Sequence, residues 1–238
     1  MKQIKILVIG KKSLLASCIK NNSKIENIKF IQYKNLKNIK LNTFSHIINF
    51  SIDRKNFTKE YSHVRKIDKN ICNLIKKNNC IYIFPSSRLI YKKSKNNFYG
   101  RNKRKTEIEI KKIKKKYLIL RISTLLTFDY SNRNLFISRA LKSLKTKKKI
   151  EIDIPKNTYK DFITSKFFVD IFDKLVKKNI TGTYNLSSNI PIKVNEILKN
   201  ILKGYGKGEI VLKKPFKKNH SFLLNNARLR NKIKFKLS

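Results

Sequence analysis

Tyr99 and Lys103 are two residues whose types and spacing could do chemistry. Four positions apart, they share one face of a helix, one turn from each other. A cation beside a phenol favours phenolate and lowers the tyrosine pKa. The hydroxyl then becomes a usable proton donor and acceptor near neutral pH. In a chain this rich in lysine, the same spacing is also the ordinary pattern of a solvated helix face. The pair therefore gains meaning only from its surroundings. A second candidate is the turn Gly10-Lys11-Lys12-Ser13-Leu14-Leu15-Ala16, which has the spacing of a glycine-rich dinucleotide loop with only the first glycine kept. In such a loop the first glycine makes the tight turn and the second lets the backbone approach a pyrophosphate. The third lets helix and strand pack closely. Ala16 replaces the third mildly. Ser13 puts a side chain where phosphates would approach, although the helix N-terminus stays available to an anion. Alone, the turn is equally well explained as a plain strand-to-helix connection.

The remaining reactive side chains supply no further site. Cys18, Cys72 and Cys80 are odd in number and lack metal or CxxC spacing, so they read as reduced thiols in or near the core. His46, His63 and His220 have no partners at ligand spacing. Asp53, Asp68, Asp129, Asp153, Asp161, Asp170 and Asp173 form no paired-carboxylate or metal-ligand pattern, and no metal is expected.

The elements that must position these residues alternate. Lys5–Ile9 is a short apolar run of strand length, followed by a helix over Ser13–Asn21. Strands are expected at Phe30–Tyr33, His46–Phe50 and Ile81–Phe84, the last stopped by Pro85-Ser86-Ser87. Tyr61–Asn78 reads as a helix, as does the charged run from Tyr99 to Lys116, and Tyr117–Arg121 as a strand. Leu135–Leu144 reads as a helix, and Ile150–Ile152 and Phe162–Thr164 as short extended pieces. Ser165–Lys177 is a helix with Ser165 as its cap. Gly182–Ser187 is a strand, Val194–Leu202 a helix, and the stretch holding Gly204, Gly206 and Gly208 a turn. The tail after Lys213 is basic and weakly periodic. Such alternation predicts an α/β fold, a Rossmann-type doubly wound, mainly parallel sheet with a small C-terminal substrate-binding region. Residues 1–150 are expected to form the dinucleotide-binding part and 151–238 a smaller substrate-side region interleaved with the same sheet.

The chain has 238 residues, 40% of them hydrophobic, enough for a core and no disordered polycation. No stretch approaches the ~20 apolar residues that span a bilayer, so no membrane partner and a cytoplasmic location are expected. The net charge of +44 invites a nucleic-acid reading. Lys outnumbers Arg 48 to 10, however, and the lysines spread along the whole chain beside abundant Asn and Ile. Specific recognition of bases leans on arginine forks, so compositional drift explains the charge better than a dedicated nucleic-acid function.

Several segments together resemble a known family. Ile81-Tyr82-Ile83-Phe84-Pro85-Ser86-Ser87-Arg88-Leu89-Ile90-Tyr91 is followed by Tyr99-Gly100-Arg101-Asn102-Lys103 with Glu107 downstream, then by Leu118-Ile119-Leu120-Arg121. Later come Tyr159-Lys160-Asp161-Phe162-Ile163, Gly182–Ser188 with Val194–Ile197, and Phe222–Leu229. In this order they resemble the extended short-chain dehydrogenase/reductases, the NAD-dependent epimerase/dehydratase group acting on nucleotide sugars. Within it they look most like dTDP-4-dehydrorhamnose reductase-like members.

The resemblance implies an NAD(P)-dependent reductase, epimerase or dehydratase acting on a nucleotide-linked sugar, serving surface polysaccharide. Tyr99 would be the acid/base, Lys103 would also reach the nicotinamide ribose, and Ser87, four before the aromatic Tyr91, would orient the same sugar oxygen. The cofactor would lie over Gly10, Ser13, Leu14 and Leu15, with Asn49, Phe50 and Ser51 on its adenosine side and Ile122 and Ser123 facing the nicotinamide. Lys34 stands where the family carries an acidic ribose ligand and suits a 2′-phosphate, which leans to NADP over NAD. Family members often pair through helices equivalent to Tyr61–Asn78 and Tyr99–Lys116, so a homodimer is compatible with the resemblance. The chain departs from the pattern at Ser13, at Ile67 where a structural Asn is expected, and between Tyr33 and Ile47, too short for the usual extra strand and helix. These departures keep a second reading open: a degenerate relative with weak or no cofactor binding, acting as a binding or regulatory module.

Overall fold

The computed structural model describes residues 3–51, 58–61, 66–92, 97–113, 116–126, 136–152, 154–155, 157–213 and 221–235. Its first half runs β1 (Ile6–Ile9), α1 (Leu14–Asn22), β2 (Ile28–Ile31), β3 (His46–Asn49), α2 (Lys66–Lys76), β4 (Ile81–Ser87), α3 (Phe98–Lys112) and β5 (Tyr117–Ile122). Next come β6 (Thr124–Leu126), α4 (Phe136–Lys147), β7 (Lys149–Ile152), β8 (Tyr159–Lys160), β9 (Phe162–Thr164) and α5 (Ser165–Lys177). The chain closes with β10 (Gly182–Leu186), β11 (Ile192–Lys193), α6 (Val194–Tyr205), β12 (Glu209–Leu212) and α7 (Ala227–Ile233).

Six strands form one sheet in the order β10-β5-β4-β3-β1-β2, and every neighbouring pair is parallel. Parallel strands covered on both faces read as continuous aliphatic runs, which is why β1 is Ile-Leu-Val-Ile with all four side chains buried. Leu7, Ile9, Ile47, Tyr82, Phe84 and Ile119 pack with Ile71, Cys72 and Ile75 of α2 and Ile110 of α3. Alternate residues such as Ile6, Val8, Ile48 and Leu118 are equally buried and point to the other face, where α1 lies against α5. Ser23, capping the C-terminus of α1, donates to Asp173 of α5 at 2.7 Å.

The described contacts divide the chain into two interleaved units. One holds Met1–Ser123, Ser165–Leu186 and Asn226–Ser238, and contains the six-stranded sheet with α1, α2, α3, α5 and α7. The other holds Thr124–Thr164 and Ser187–Asn225. The chain thus crosses between them at 123/124, 164/165, 186/187 and 225/226. The second unit is built from three strand pairs, β6 with β9, β8 with β11 and β7 with β12, around Leu144, Ile150, Phe162, Val194 and Leu198. Asp161 fixes its turn: one carboxylate oxygen accepts from the Ser188 amide and hydroxyl, the other from the Asn189 amide.

Several sequence expectations need correction. The second strand ends at Ile31, because Gln32 and Tyr33 already enter a 3-10 turn over Tyr33–Asn38. Pro85 does not stop β4, which continues to Ser87. β3 reaches only as far as Ile83, so beyond it β4 has β5 alone as a partner and a missing N–H costs no ladder bond. Tyr61 lies outside α2, and 62–65 with Leu135 fall outside the described residues. α3 ends at Lys112 rather than Lys116. Gly204 is inside α6, and the turn begins at Gly206, whose φ of 82° makes the left-handed C-cap. The weakly periodic tail contains α7, anchored by buried Leu229 and Ile233.

Candidate active site

Ser87 ends β4, and its hydroxyl oxygen caps the 3-10 turn Arg88–Tyr91 by accepting the Leu89 amide at 3.2 Å. Tyr99 occupies the second position of α3, half-buried. Between them the chain is clamped. Asn97 caps α3 by accepting from the Gly100 amide at 3.1 Å, and its side-chain amide donates to the carbonyls of Leu89 at 2.6 Å and Lys92 at 2.8 Å. A Cβ on Gly100 would stand 2.3 Å from the Leu89 carbonyl oxygen, so only glycine lets the Ser87 turn and the Tyr99 helix approach this closely. Asn97 and Gly100 were not among the sequence candidates. Their signal was a helix-capping Asn three residues before a glycine in a helical run.

Lys103 is 6% exposed. Its ammonium donates to the Pro85 carbonyl at 2.7 Å and lies 4.4 Å from the Phe84 ring centroid and 5.7 Å from that of Tyr99. The expected pair on α3 is thus tied to the strand that carries Ser87. One turn further along the helix, buried Glu107 accepts from Ser86 at 2.5 Å and takes the Arg121 guanidinium through two nitrogens, with Nη2 at 2.7 Å. Burial opposes the Arg121 charge, and the Glu107 carboxylate outweighs it, so the guanidinium is held above its ordinary pKa. Arg121 donates onward to Tyr91 at 2.5 Å, and Tyr91 to Asn185 of β10 at 3.1 Å. Ser86, Glu107 and Arg121 thereby lock β4, α3 and β5 to one another around the Ser87 end.

Gly10, Asn49, Ser87 and Ile122 each stand at or just past the carboxyl end of a parallel strand, the end where such sheets bind ligands. Ser87 and Ile122 are register partners, while Ser123, also buried, follows with its amide on the Leu186 carbonyl. Gly10 has φ of 94°, and a Cβ there would stand 2.7 Å from the Ser51 amide nitrogen, so the loop leans on the Phe50–Ser51 backbone. Asn49 accepts from the Ser51 amide and donates to Asp68, which also receives Thr106 of α3. Ile67 packs on the core, and its neighbour Asp68 turns inward to make this link. Leu14 and Leu15 open α1, half-buried.

The loop is less open at its phosphate end. Ser13 uses its hydroxyl oxygen as the N-cap of α1, accepting from Ala16 at 3.1 Å. The amides of Gly10 and Lys11 both donate to the Ile31 carbonyl. Between β2 and β3 there are only two 3-10 turns, whose Leu36 and Leu41 fill the core, so β2 is the outer strand and Lys34 is exposed beside it. Among the described residues no cluster of three His, Cys, Asp or Glu could hold a metal. His63, His220, Asp53, Asp129 and Asp153 lie outside them. The three cysteines are buried and form no disulfide, and burial pushes the thiol of Cys72 up to about 12.

No family model and no curated protein sequence matches the chain. Solved structures do. A UDP-N-acetylglucosamine 4-epimerase from Methanobrevibacter ruminantium M1, in complex with UDP-N-acetylmuramic acid, superposes with a TM-score of 0.77 at 17% identity, covering 100% of this chain and 94% of the epimerase. An NAD-dependent NDP-hexosamine 5,6-dehydratase of tunicamycin biosynthesis gives 0.76 at 12% identity, over 99% and 92%. A dTDP-4-dehydrorhamnose reductase from Yersinia enterocolitica gives 0.68 at 16% identity, over 88% and 84%. At such identities the likeness speaks for architecture alone: this chain shares the fold of that epimerase, that dehydratase and that reductase.

Proposed function

We propose that the chain is an NAD(P)-dependent enzyme acting on a nucleotide-linked sugar as a reductase, epimerase or dehydratase, in the cytoplasm and for surface polysaccharide. The observation that carries this reading is Lys103. Lysine is among the residues least often buried, and here its ammonium is nearly enclosed, bonded to the strand ending in Ser87 and beside the Tyr99 ring. A solvated helix face would not place it there.

In this reading Tyr99 gives a proton to, or takes one from, a hydroxyl or keto oxygen of the sugar. Ser87 accepts the Leu89 amide through its hydroxyl oxygen, and its own hydrogen donates to that same sugar oxygen and orients it. Lys103 holds the charge at Tyr99 and meets the nicotinamide ribose. A bound nicotinamide supplies the hydride donor and acceptor. Gly10, Leu14, Leu15, Asn49, Phe50 and Ser51 fit its adenosine and phosphate half, Ile122 and Ser123 its nicotinamide, and exposed Lys34 favours NADP.

A second reading is favoured by one specific observation, the Ser13 cap over the helix amide that a phosphate would use. It makes the chain a weak cofactor binder serving as a binding or regulatory module. Turnover separates the two. With NADPH and a panel of UDP- and dTDP-linked keto sugars, Tyr99→Phe is expected to lower turnover by about 10²–10⁴-fold while cofactor affinity stays unchanged. A Phe variant with wild-type turnover would falsify the assignment.

A further inference from the structure

Beyond the strand ends, the face of α3 bearing Arg104, Glu107, Ile108 and Lys111 borders a cavity of about 250 Å³ closed by Ile90, Tyr91 and Arg121. These helical positions follow the three-and-four spacing of one face. The back wall is rigid. Tyr91 receives Arg121 and donates to Asn185, and the guanidinium lies 5.1 Å from the Tyr91 ring centroid. Glu107 would repel an anion, but both its oxygens are taken by Arg121 and Ser86, which leaves that end of the cavity close to neutral. The rim is cationic: exposed Arg104 and Lys111 have no ion-pair partner among the described residues.

Two features set this cavity apart from the lysine background. Arginine is scarce in this chain, 10 residues among 58 cations, and drift towards lysine does not explain two of them meeting at one cavity. Large exposed apolar side chains are also few, and Tyr91 at 42% and Ile108 at 48% both stand here. Charge alone would attract inorganic anions anywhere on the surface. Charge around an aromatic and aliphatic floor selects an anion with an apolar body.

We propose that this cavity is a binding site for a small organic anion, a phosphate or carboxylate carrying an aromatic or aliphatic group. The anionic group lies between Arg104 and Lys111, and the apolar body rests on Ile90, Ile108 and the Tyr91 ring. None of the lining residues is among those assigned to the sugar reaction, and the proposal does not depend on that assignment.

The test is calorimetric titration of the full chain at physiological salt with phenyl phosphate, inorganic phosphate and phenol. Phenyl phosphate is expected to bind about tenfold or more tightly than either of the others. Arg104→Ala/Lys111→Ala should weaken it by about tenfold, whereas Lys37→Ala/Lys40→Ala, the same loss of charge elsewhere, should change it by less than about twofold. Both pairs lie on the surface, so neither substitution threatens folding. Saturating NADPH should leave phenyl phosphate binding in place. Equal affinity for phenyl and inorganic phosphate, equal loss in both double variants, displacement by NADPH, or no binding at all would each overturn the proposal.

Discussion

His46 shows how a single side chain carries pH into stability. It is 1% exposed in β3; its Nδ1 meets the Ser45 hydroxyl at 2.9 Å while Nε2 is buried without a partner. Burial lowers its pKa from 6.5 to about 4. The folded pKa is depressed, so the unfolded chain takes up the proton first. Its contribution is complete above about pH 6.5 and is lost as pH falls through about 4, at up to ~1.4 kcal/mol per pH unit. Denaturant melts should show this slope for the wild type and a flatter one for His46→Leu; parallel slopes would rule His46 out as its source. The residue was legible in sequence only as a histidine without ligand partners, because its burial depends on the neighbours that β3 acquires in the sheet. Tyr99 and Lys103 were legible because their spacing is local. The Pro85 carbonyl that holds Lys103 was not, since it comes from another strand.

At the scale of elements, two glycines make opposite predictions. Gly100 sits in α3 against the Leu89 carbonyl, and Gly204 sits in α6 with open space for 4 Å around the place a Cβ would take. Gly100→Ala should destabilise by about 1–3 kcal/mol through overpacking, and should loosen the join between the Ser87 turn and the Tyr99 helix. Gly204→Ala should stabilise by about 0.5–1 kcal/mol, the ordinary helix preference. Thermal melts of the two variants decide it, and shifts of the same sign would contradict the clamp. Most elements were readable from apolar period and capping residues, with α5 recovered at Ser165–Lys177. What escaped was non-local. β4 runs through Pro85 because its neighbour ends early, and α7 forms because Leu229 and Ile233 find a core that no local pattern announces.

For the whole molecule, the parallel sheet gathers the residues that the sequence scatters over more than a hundred positions. Gly10, Asn49, Ser87 and Ile122 meet at one end of it because each follows or ends a strand running the same way. The sequence resemblance pointed to the same arrangement, yet it could not say whether the loop at Gly10 still accepts a phosphate. Ser13 is the residue on which this turns, because its hydroxyl occupies the Ala16 amide. Replacing it by glycine costs only a few tenths of a kcal/mol as a helix cap, so the substitution reads binding rather than folding. The most direct measurement is therefore equilibrium titration of NADPH and NADH into the wild type and Ser13→Gly. NADPH is expected to bind the wild type on the order of a millimolar or tighter, and about tenfold more tightly after the change to glycine, with NADH weaker in both. Absence of binding to both proteins at millimolar concentrations would contradict the cofactor-dependent reading.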